Sequence, residues 1–303
     1  MVFFTGENKY TVDDIDLSTC THLVYAFAVL DGSQYLIKVF DRWLDEDLGN
    51  YRKFTALKHK KPGLKTLLAI GGWTDSQNTN KYSVLVASPT LRNGFILNAI
   101  NFLKYYDFDG LDLDWEYPSG FADKQNFAIF VKELKDEFVK HDLMVTAAVG
   151  ATEDKANKGY DIPSLCQNLD FVHLMTYDFH GAWDSMADHH SPLYDRTSVN
   201  DNFNTDHAVK HWLTNGCPAN KLVVGIPLYG RTFTLSTSTH RPPAPAVGAG
   251  NSGPILNEKG FMSYLEICTL LKNDNGYSIV QVSHKKMFYA YFFLNLAKVI
   301  YKY

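Results

Sequence analysis

Short runs of apolar and β-branched residues alternate with longer amphipathic stretches along most of the chain. Because most of these runs are apolar at successive positions, they are typical of parallel strands that are covered on both faces. Six of them predict strands: THLVYAFAVL, KTLLAIGGW, FDGLDLDWEYP, LMVTAAVGA, LDFVHLMTYD and KLVVGIPLYG, which begin at residues 21, 65, 108, 143, 169 and 221.

Helix signals fall between the predicted strands. Ser88-Pro89 is typical of an N-cap followed by proline in the first turn, and it precedes LRNGFILNAINFLKYY. A second stretch, QNFAIFVKELKDEFVKH, places five apolar residues on one helical face: Phe127, Phe130, Val131, Leu134 and Phe138. Repeated strand and helix predict parallel strands joined by crossover helices. The periodicity leaves two architectures open, a closed (β/α)8 barrel and an open doubly wound sheet.

The pattern weakens after Phe233. The Pro- and Gly-rich stretch 240–254 predicts a loop, and NEKGFMSYLEICTLLKN, over 257–273, predicts one helix. The last stretch, from 281, predicts no regular element. Lys298 interrupts its apolar part before it reaches the ~20 residues of a membrane helix.

Composition fits a globular protein with a sizeable core. The chain has 303 residues, 46% of them hydrophobic and 20% charged, with a formal net charge of −4. That charge argues against a polyanionic partner such as nucleic acid. The 14% of aromatic residues fits either a large core or a groove lined with rings. No basic stretch followed by an apolar run opens the chain, so the sequence predicts no signal peptide.

The cysteines and histidines offer no metal motif. Four cysteines stand far apart with no CxxC spacing, which argues against zinc or thioredoxin-like chemistry. Two disulfides, one disulfide or four thiols all stay open. Asp188-His189-His190 predicts a structural or solvated role, because adjacent residues in an extended segment point apart.

The stretch FDGLDLDWEYP, at 108–118, combines a buried strand pattern with closely spaced acids. Asp112, Asp114 and Glu116 alternate along it, so in a strand they share one face with ~6.6 Å between neighbours. Leu111, Leu113 and Trp115 take the other face. Like charges on a buried face are costly unless protons are shared or hydrogen bonds compensate.

Three interpretations of these acids compete. A solvated edge strand disagrees with the apolar flanks, and a divalent metal site built from carboxylates is a second possibility. Tyr117-Pro118 follows Glu116 and places this last carboxylate at the carboxyl end of the strand, where barrel enzymes hold catalytic groups. Proton chemistry is therefore the interpretation that we favour.

The spacing Asp109-x-x-Asp112-x-Asp114-x-Glu116 resembles the catalytic signature of the family 18 glycoside hydrolases, the chitinases and chitinase-like proteins. LLAIGGW, MTYDFHGAW and GIPLYGRTF support the resemblance in the family's order. It extends from about Lys9 to about Asn275 and is nearest to arthropod chitinases. The resemblance implies a (β/α)8 TIM-type barrel with a small α+β insertion after the seventh strand.

The same resemblance implies that the barrel is incomplete. The first strand is shortened to MVFF, and the eighth strand and its tryptophan are missing, since no Trp follows Trp212. Cys20 and Cys268 lose the partners that the family would give them. The implied domains are a catalytic barrel over 1–236, a partial insertion over 237–279 and an unmatched tail over 280–303.

The resemblance also assigns the site residues. Glu116 would protonate the glycosidic oxygen, with Asp112 and Asp114 raising its pKa, while the substrate's 2-acetamido oxygen attacks the anomeric carbon. Asp114 would hold the acetamido N–H, and Tyr177 would donate to the acetamido oxygen. The implied substrate-binding residues are Phe27, Gly72, Trp73, Tyr117, Met175, Asp178, Trp183, Tyr229 and Arg231.

The implied activity is hydrolysis of β-1,4 linkages in chitin or chitooligosaccharides, with retention and without metal or cofactor. The implied protein is an extracellular monomer that binds neither nucleic acid nor membrane. Two alternatives stay open: a non-catalytic chitin-binding lectin on the same fold, because the tryptophan is missing, and a chain that does not fold stably.

Overall fold

The computed structural model describes residues 10–195, 202–238, 241–272, 277–282, 287–292 and 298–302. The predicted first strand, MVFF, lies outside them. The chain divides into two compact units. Unit 1 comprises Met1–Gly150, Asp154–His173 and Leu213–Val223, and unit 2 comprises Ala151–Glu153, Leu174–Trp212 and Val224–Tyr303.

Strands and helices alternate in the first part of the chain and give way to strands in the last part. The strands are β1 (His22–Leu30), β2 (Ile37–Val39), β3 (Lys65–Gly71), β4 (Gly110–Asp114), β5 (Met144–Gly150), β6 (Phe171–Met175), β7 (Met186–Ala187), β8 (Leu222–Val224), β9 (Tyr229–Leu235), β10 (Ala244–Ala249), β11 (Phe261–Ser263), β12 (Tyr277–Val282), β13 (Met287–Phe292) and β14 (Lys298–Lys302). The helices are α1 (Asn50–Thr55), α2 (Leu57–Lys60), α3 (Trp73–Ser76), α4 (Lys81–Ala87), α5 (Pro89–Tyr106), α6 (Gly120–Phe138), α7 (Glu153–Gly159), α8 (Ile162–Asn168), α9 (Thr205–Thr214) and α10 (Tyr264–Lys272). Short 3-10 turns cover Val12–Asp14, Val139–His141 and Ala219–Lys221, and a π-helical turn covers Trp43–Asp47.

The first sheet has the strand order β2-β1-β3-β4-β5-β6-β8. The pairs β1–β3, β3–β4 and β4–β5 are parallel, and β2 forms an antiparallel edge on β1. Apart from β2, its strands are the six that the apolar runs predict. This mostly parallel sheet, with helices between consecutive strands, confirms the TIM-type α/β architecture. Among the described residues it does not close into a barrel.

Both long helices form where the sequence predicts them. The Ser88 hydroxyl accepts from the Leu91 backbone N–H at 3.4 Å, and α5 begins at the following proline. Helix α6 buries the predicted apolar face, including Phe127 and Val131, and this burial accounts for its amphipathic pattern.

The second sheet has the order β12-β13-β14-β9-β10-β7, with β11 also paired to β9. The prediction of a loop over 240–254 is wrong in part, because β10 lies inside it. Pro245 lacks a backbone N–H, but its carbonyl accepts from Ser236 N at 2.9 Å, and Pro245 is the register partner of Met186 on β7. Pairing with β9 then extends the strand to Ala249, so tertiary contacts outweigh the local composition.

The single helix predicted over 257–273 is also wrong in part. Phe261–Ser263 forms β11 against β9, and only Tyr264–Lys272 is helical. The Glu266 N–H donates to the Ser263 hydroxyl at 3.3 Å, while the Glu266 carboxylate accepts from Ser263 N at 2.8 Å. This reciprocal cap fixes the start of α10. Beyond it, β13 and β14 occupy the stretch for which periodicity predicts no element.

One disulfide forms, between Cys166 and Cys217 of unit 1, with a Cα–Cα distance of 5.3 Å. Of the alternatives that the spacing leaves open, the structure therefore shows a single disulfide among the four cysteines, all of which lie in the described ranges. Cys20 is not part of a disulfide, and its thiol donates to the Asp16 carbonyl at 3.6 Å.

Candidate active site

Strand β4 in unit 1 carries two buried carboxyl groups. Asp112 and Asp114 are 4% and 8% exposed, and Leu111 and Leu113 take the alternate positions in the core. The strand ends at Asp114, so Glu116 lies just beyond its carboxyl end and is half-buried. The signature therefore supplies one strand with a charged face and a core face at the same time.

Asp112 is held by groups on two other strands. Thr146, its register partner on β5, donates its hydroxyl to the carboxylate, and His173 Nδ1 on β6 lies 3.1 Å from the same oxygen. Burial alone would lower the pKa of His173, but the hydrogen bond to Asp112 and its charge outweigh burial and raise that pKa. The half-buried His173 and the buried Asp112 thus form a hydrogen-bonded pair.

Asp114 lacks such compensation. Its Oδ1 atom is buried without a hydrogen-bond partner among the described residues. Burial is the main cause that raises the pKa of Asp114 well above its usual range, and the charges of Glu116 and Asp112 add to it. A carboxyl group in this environment favours its protonated form and can donate a hydrogen bond.

The raised pKa of Asp114 makes stability depend on pH. A carboxyl group whose pKa is raised in the folded state makes the protein less stable as pH rises from its unfolded pKa of ~3.9 toward its folded pKa. Asp114→Asn removes this ionisation, so we expect its Tm at pH 8 to exceed the wild-type Tm by roughly 2–4 °C, about 1 kcal/mol. Thermal unfolding at pH 4 and pH 8 measures the difference.

Asp136→Asn is the control, because Asp136 forms an exposed ion pair with Lys132 on α6. It should leave the pH profile of Tm unchanged. An Asp114→Asn variant that is equally destabilised at both pH values would contradict the ionisation argument.

Tyr117 flanks Glu116 on the carboxyl side. Burial raises the pKa of Tyr117, and the charge of Glu116, to which its hydroxyl hydrogen-bonds, raises it further. The Lys155 ammonium lies 4.0 Å from the centre of the Tyr117 ring, within the range of a cation–π contact. The phenol next to Glu116 is therefore a neutral hydrogen-bond donor.

The turn after β3 presents an exposed ring. Trp73 is 60% exposed at the start of α3. A side chain at Gly72 would lie 2.8 Å from the Phe27 ring, and one at Gly71, where φ is +116°, would lie 2.2 Å from the Asp114 carbonyl. Both glycines are required for this close packing. Phe27, Gly72 and Trp73 thus lie together in unit 1.

Unit 2 holds a separate charged group. Arg231 on β9 donates to both carboxylate oxygens of Asp178, at 2.7 and 2.6 Å, and His190 Nδ1 lies 3.5 Å from the same carboxylate. Burial would raise the pKa of Asp178, but hydrogen bonds to His190 and Arg231, with the Arg231 charge, hold it well below its usual range. Asp188, His189 and His190 are all buried, in agreement with a structural role.

Aromatic side chains surround this ion pair. The Tyr229 ring stacks on Phe261 at 4.7 Å and meets Tyr177 edge-on at 6.2 Å. The Arg231 guanidinium lies 5.1 Å from the centre of the Trp183 ring, which is 60% exposed. Met175 is buried at the end of β6. Unit 2 therefore brings together the other predicted site residues: Met175, Tyr177, Asp178, Trp183, Tyr229 and Arg231.

The Asp178–Arg231 pair leads to a prediction for stability. A carboxylate whose pKa is lowered in the folded state stabilises the protein at pH values above its unfolded pKa of ~3.9. This stabilisation is lost as pH falls through the folded pKa. Asp178→Asn leaves Arg231 without its counter-ion, so we expect a loss of about 3 kcal/mol at pH 7 that shrinks toward pH 3. Thermal unfolding across this range provides the test.

Asp206→Asn breaks a pair on the outside of α9, between Asp206 and Lys210 at 2.7 Å, and serves as the control. It should cost about 1 kcal/mol or less. Equal losses in the two variants at pH 7 would rule out a special contribution from Asp178.

Sequence reasoning missed Thr146 and His173, and it did not connect His190 with Asp178. His173 stands two positions before Met175 on β6, so strand alternation places both on one face and could have indicated it. Thr146 could be found only from the register of β4 against β5. Among the described residues, no group of three His, Cys, Asp or Glu side chains could hold a metal ion. No helix in the described ranges has the length and apolar character to span a membrane.

Comparison with known proteins supports the sequence resemblance. The model of the family described as glycosyl hydrolases family 18 matches residues 1–298. The endochitinase of Manduca sexta is 39% identical over 307 residues, which cover 96% of this chain and 55% of that protein. The chain spans 13% to 57% of the lengths of the curated relatives compared.

Two solved structures share the fold closely. The Group IV chitinase of Ostrinia furnacalis, in complex with allosamidin, superposes with a TM-score of 0.92 at 40% identity, covering 98% of this chain and 81% of that one. Human YKL-39, described as a pseudo-chitinase that retains chitooligosaccharide binding, superposes with a TM-score of 0.88 at 33% identity, covering 99% of this chain and 82% of that one.

Proposed function

Because this chain belongs to family 18 of the glycosyl hydrolases, we propose that it hydrolyses β-1,4 linkages between N-acetylglucosamine units of chitin or chitooligosaccharides. The reaction retains the configuration at the anomeric carbon and uses the substrate's own acetamido group as nucleophile. One observation carries the proposal: Asp112 and Asp114 are buried on one strand that leads directly to the half-buried Glu116.

Glu116 acts as the general acid. It protonates the glycosidic oxygen as the bond to the anomeric carbon breaks, and the 2-acetamido oxygen attacks that carbon to form an oxazolinium ion. The Glu116 carboxylate then takes a proton from the water that opens this ring. Two displacements at one carbon restore the original configuration, so a single carboxylate serves as acid and then as base.

Asp114 and Asp112 support this cycle. We assign to Asp114 a hydrogen bond with the acetamido N–H, which orients the amide for attack and favours the cationic intermediate. Its raised pKa fits a group that exchanges protons with its neighbours during turnover. Asp112, fixed by Thr146 and His173, keeps the charge behind Asp114 in place.

The remaining assignments follow the family pattern. Tyr177 donates to the acetamido oxygen, and Trp73 and Trp183 offer exposed rings to sugar faces. Phe27, Gly72, Tyr117, Met175, Asp178, Tyr229 and Arg231 shape the subsites. We further propose that the protein binds chitin as an extracellular monomer, because this polymer lies outside cells.

The experiment that tests the proposal combines release of a fluorophore from a chitobioside with thermal unfolding in the presence of chitooligosaccharide. Cleavage together with a raised Tm supports the hydrolase. A raised Tm without cleavage favours a non-catalytic lectin. A protein that shows no cleavage and no rise in Tm would refute both functions.

A further inference from the structure

The turn between β3 and α4 is hydrogen-bonded to the end of β4 at three points. Gly72 N–H donates to the Asp114 carbonyl at 2.8 Å. The Glu116 N–H donates to the Ser76 hydroxyl at 3.0 Å, and Gln77 Nε2 donates to the Glu116 carbonyl at 3.1 Å. Two adjacent side chains therefore bind both backbone polar groups of Glu116.

The segment that carries these side chains is itself fixed. Asp75, next to Ser76 in the short helix α3, is nearly buried, and its carboxylate accepts from Lys81 Nζ at 2.5 Å and from the Tyr82 hydroxyl at 2.6 Å. It also accepts from the Leu30 backbone N–H at 3.1 Å. Ser76 is buried as well. The hydrogen bonds to Glu116 thus start from a rigid support rather than from a loose loop.

We propose that Ser76 and Gln77 are positioning residues for Glu116. This inference rests on the proposed function. The Ser76 and Gln77 bonds hold the two peptide groups on either side of the Glu116 Cα, and so they fix the direction in which its carboxyl group leaves the backbone. Trp73 belongs to the same helix α3, so a sugar ring stacked on it is held in a constant position relative to the acid.

Positioning of this kind affects the chemical step more than binding. A shift of ~1 Å in a reacting group can cost about 10²-fold in rate, whereas ring stacking on Trp73 is unchanged. We therefore expect Ser76→Ala and Gln77→Ala each to lower kcat for a chitobioside about tenfold, with KM within about twofold of wild type. The double variant should lose no more than the ~10² of a fully misplaced acid.

Conservative variants separate positioning from simple packing. Ser76→Thr keeps a hydroxyl that can accept from Glu116 N–H and should restore most of kcat. Gln77→Glu keeps the size of the side chain but replaces the donor that faces the Glu116 carbonyl with an acceptor, so it should lose at least as much kcat as Gln77→Ala.

Ser83→Ala is the matched control. Ser83 lies on the neighbouring helix α4, and its hydroxyl donates to the Asp123 carboxylate at 3.1 Å. The Ser83→Ala variant should leave kcat and KM unchanged. Comparing the Tm of each variant with that of the wild type checks that the variants are folded. Wild-type kcat in folded Ser76→Ala and Gln77→Ala, or equal losses in Ser83→Ala, would overturn the inference alone. A wild-type chain that cleaves no chitobioside would overturn the proposed function, and the inference with it.

Discussion

Replacing Glu116 by Gln is expected to lower kcat for chitobioside cleavage by about 10²–10⁴-fold, the usual contribution of a general acid. The amide keeps the shape of the side chain but has no acidic proton to transfer to the leaving oxygen. KM and the Kd for a chitooligosaccharide should change little, because the sugar-facing rings remain. Initial rates with a fluorogenic chitobioside and titration calorimetry with a chitooligosaccharide measure the two effects.

Glu137→Gln provides a matched comparison. Glu137 forms a surface ion pair with Lys140 at 2.5 Å near the end of α6, so the same chemical change occurs away from the signature. Its kcat should equal that of the wild type. Turnover by Glu116→Gln at a near-normal rate would remove Glu116 from the mechanism and with it the assignment of the signature.

A substrate with a free 2-amino group at the cleavage subsite should react at least about 10³-fold more slowly than its acetylated counterpart. The acetamido oxygen is an intramolecular nucleophile, and correctly oriented intramolecular nucleophiles reach effective molarities of about 10⁵ M and above. Removing the acetyl group removes that nucleophile, and it adds a cation next to a developing positive charge. Product analysis of acetylated and fully deacetylated oligomers of one length gives the ratio.

The two substrates also test the second carboxylate. If Asp112 or Asp114 acted as a protein nucleophile, deacetylated oligomers would still be cut at a substantial rate. Partially acetylated oligomers refine the comparison. The sugar whose anomeric carbon is attacked becomes the new reducing end of a product, and this sugar should be N-acetylglucosamine. Products with glucosamine at that end would contradict substrate assistance.

Much of the fold was predictable because its strands are locally uniform. Parallel strands covered on both faces leave long apolar runs, and all six predicted runs form strands. The second sheet was less predictable, because β14 pairs with β9 and β10 pairs with β7, and each of these partners lies far away in sequence. The pairing partner is a tertiary contact that no local window contains.

The candidate site follows the same rule. The acids of β4 could be predicted because their spacing and the strand period lie in one short segment. The groups that hold them could not, because Thr146 and Ser76 are brought to β4 by register and by a turn. Gly71 and Gly72 gave a partial signal, since consecutive glycines at a strand end mark a close approach of backbones.

The Cys166–Cys217 cross-link has a practical consequence for making the protein. It spans 51 residues of chain, a stretch that includes Tyr177, Asp178 and Trp183, and closing a loop of that length restricts the unfolded chain by about 4 kcal/mol. Such bonds form in oxidising compartments and stay reduced in the cytosol of most hosts. Recombinant material should therefore come from a periplasmic or secretory host, and a reductant in the purification buffer would remove a large part of its resistance to unfolding.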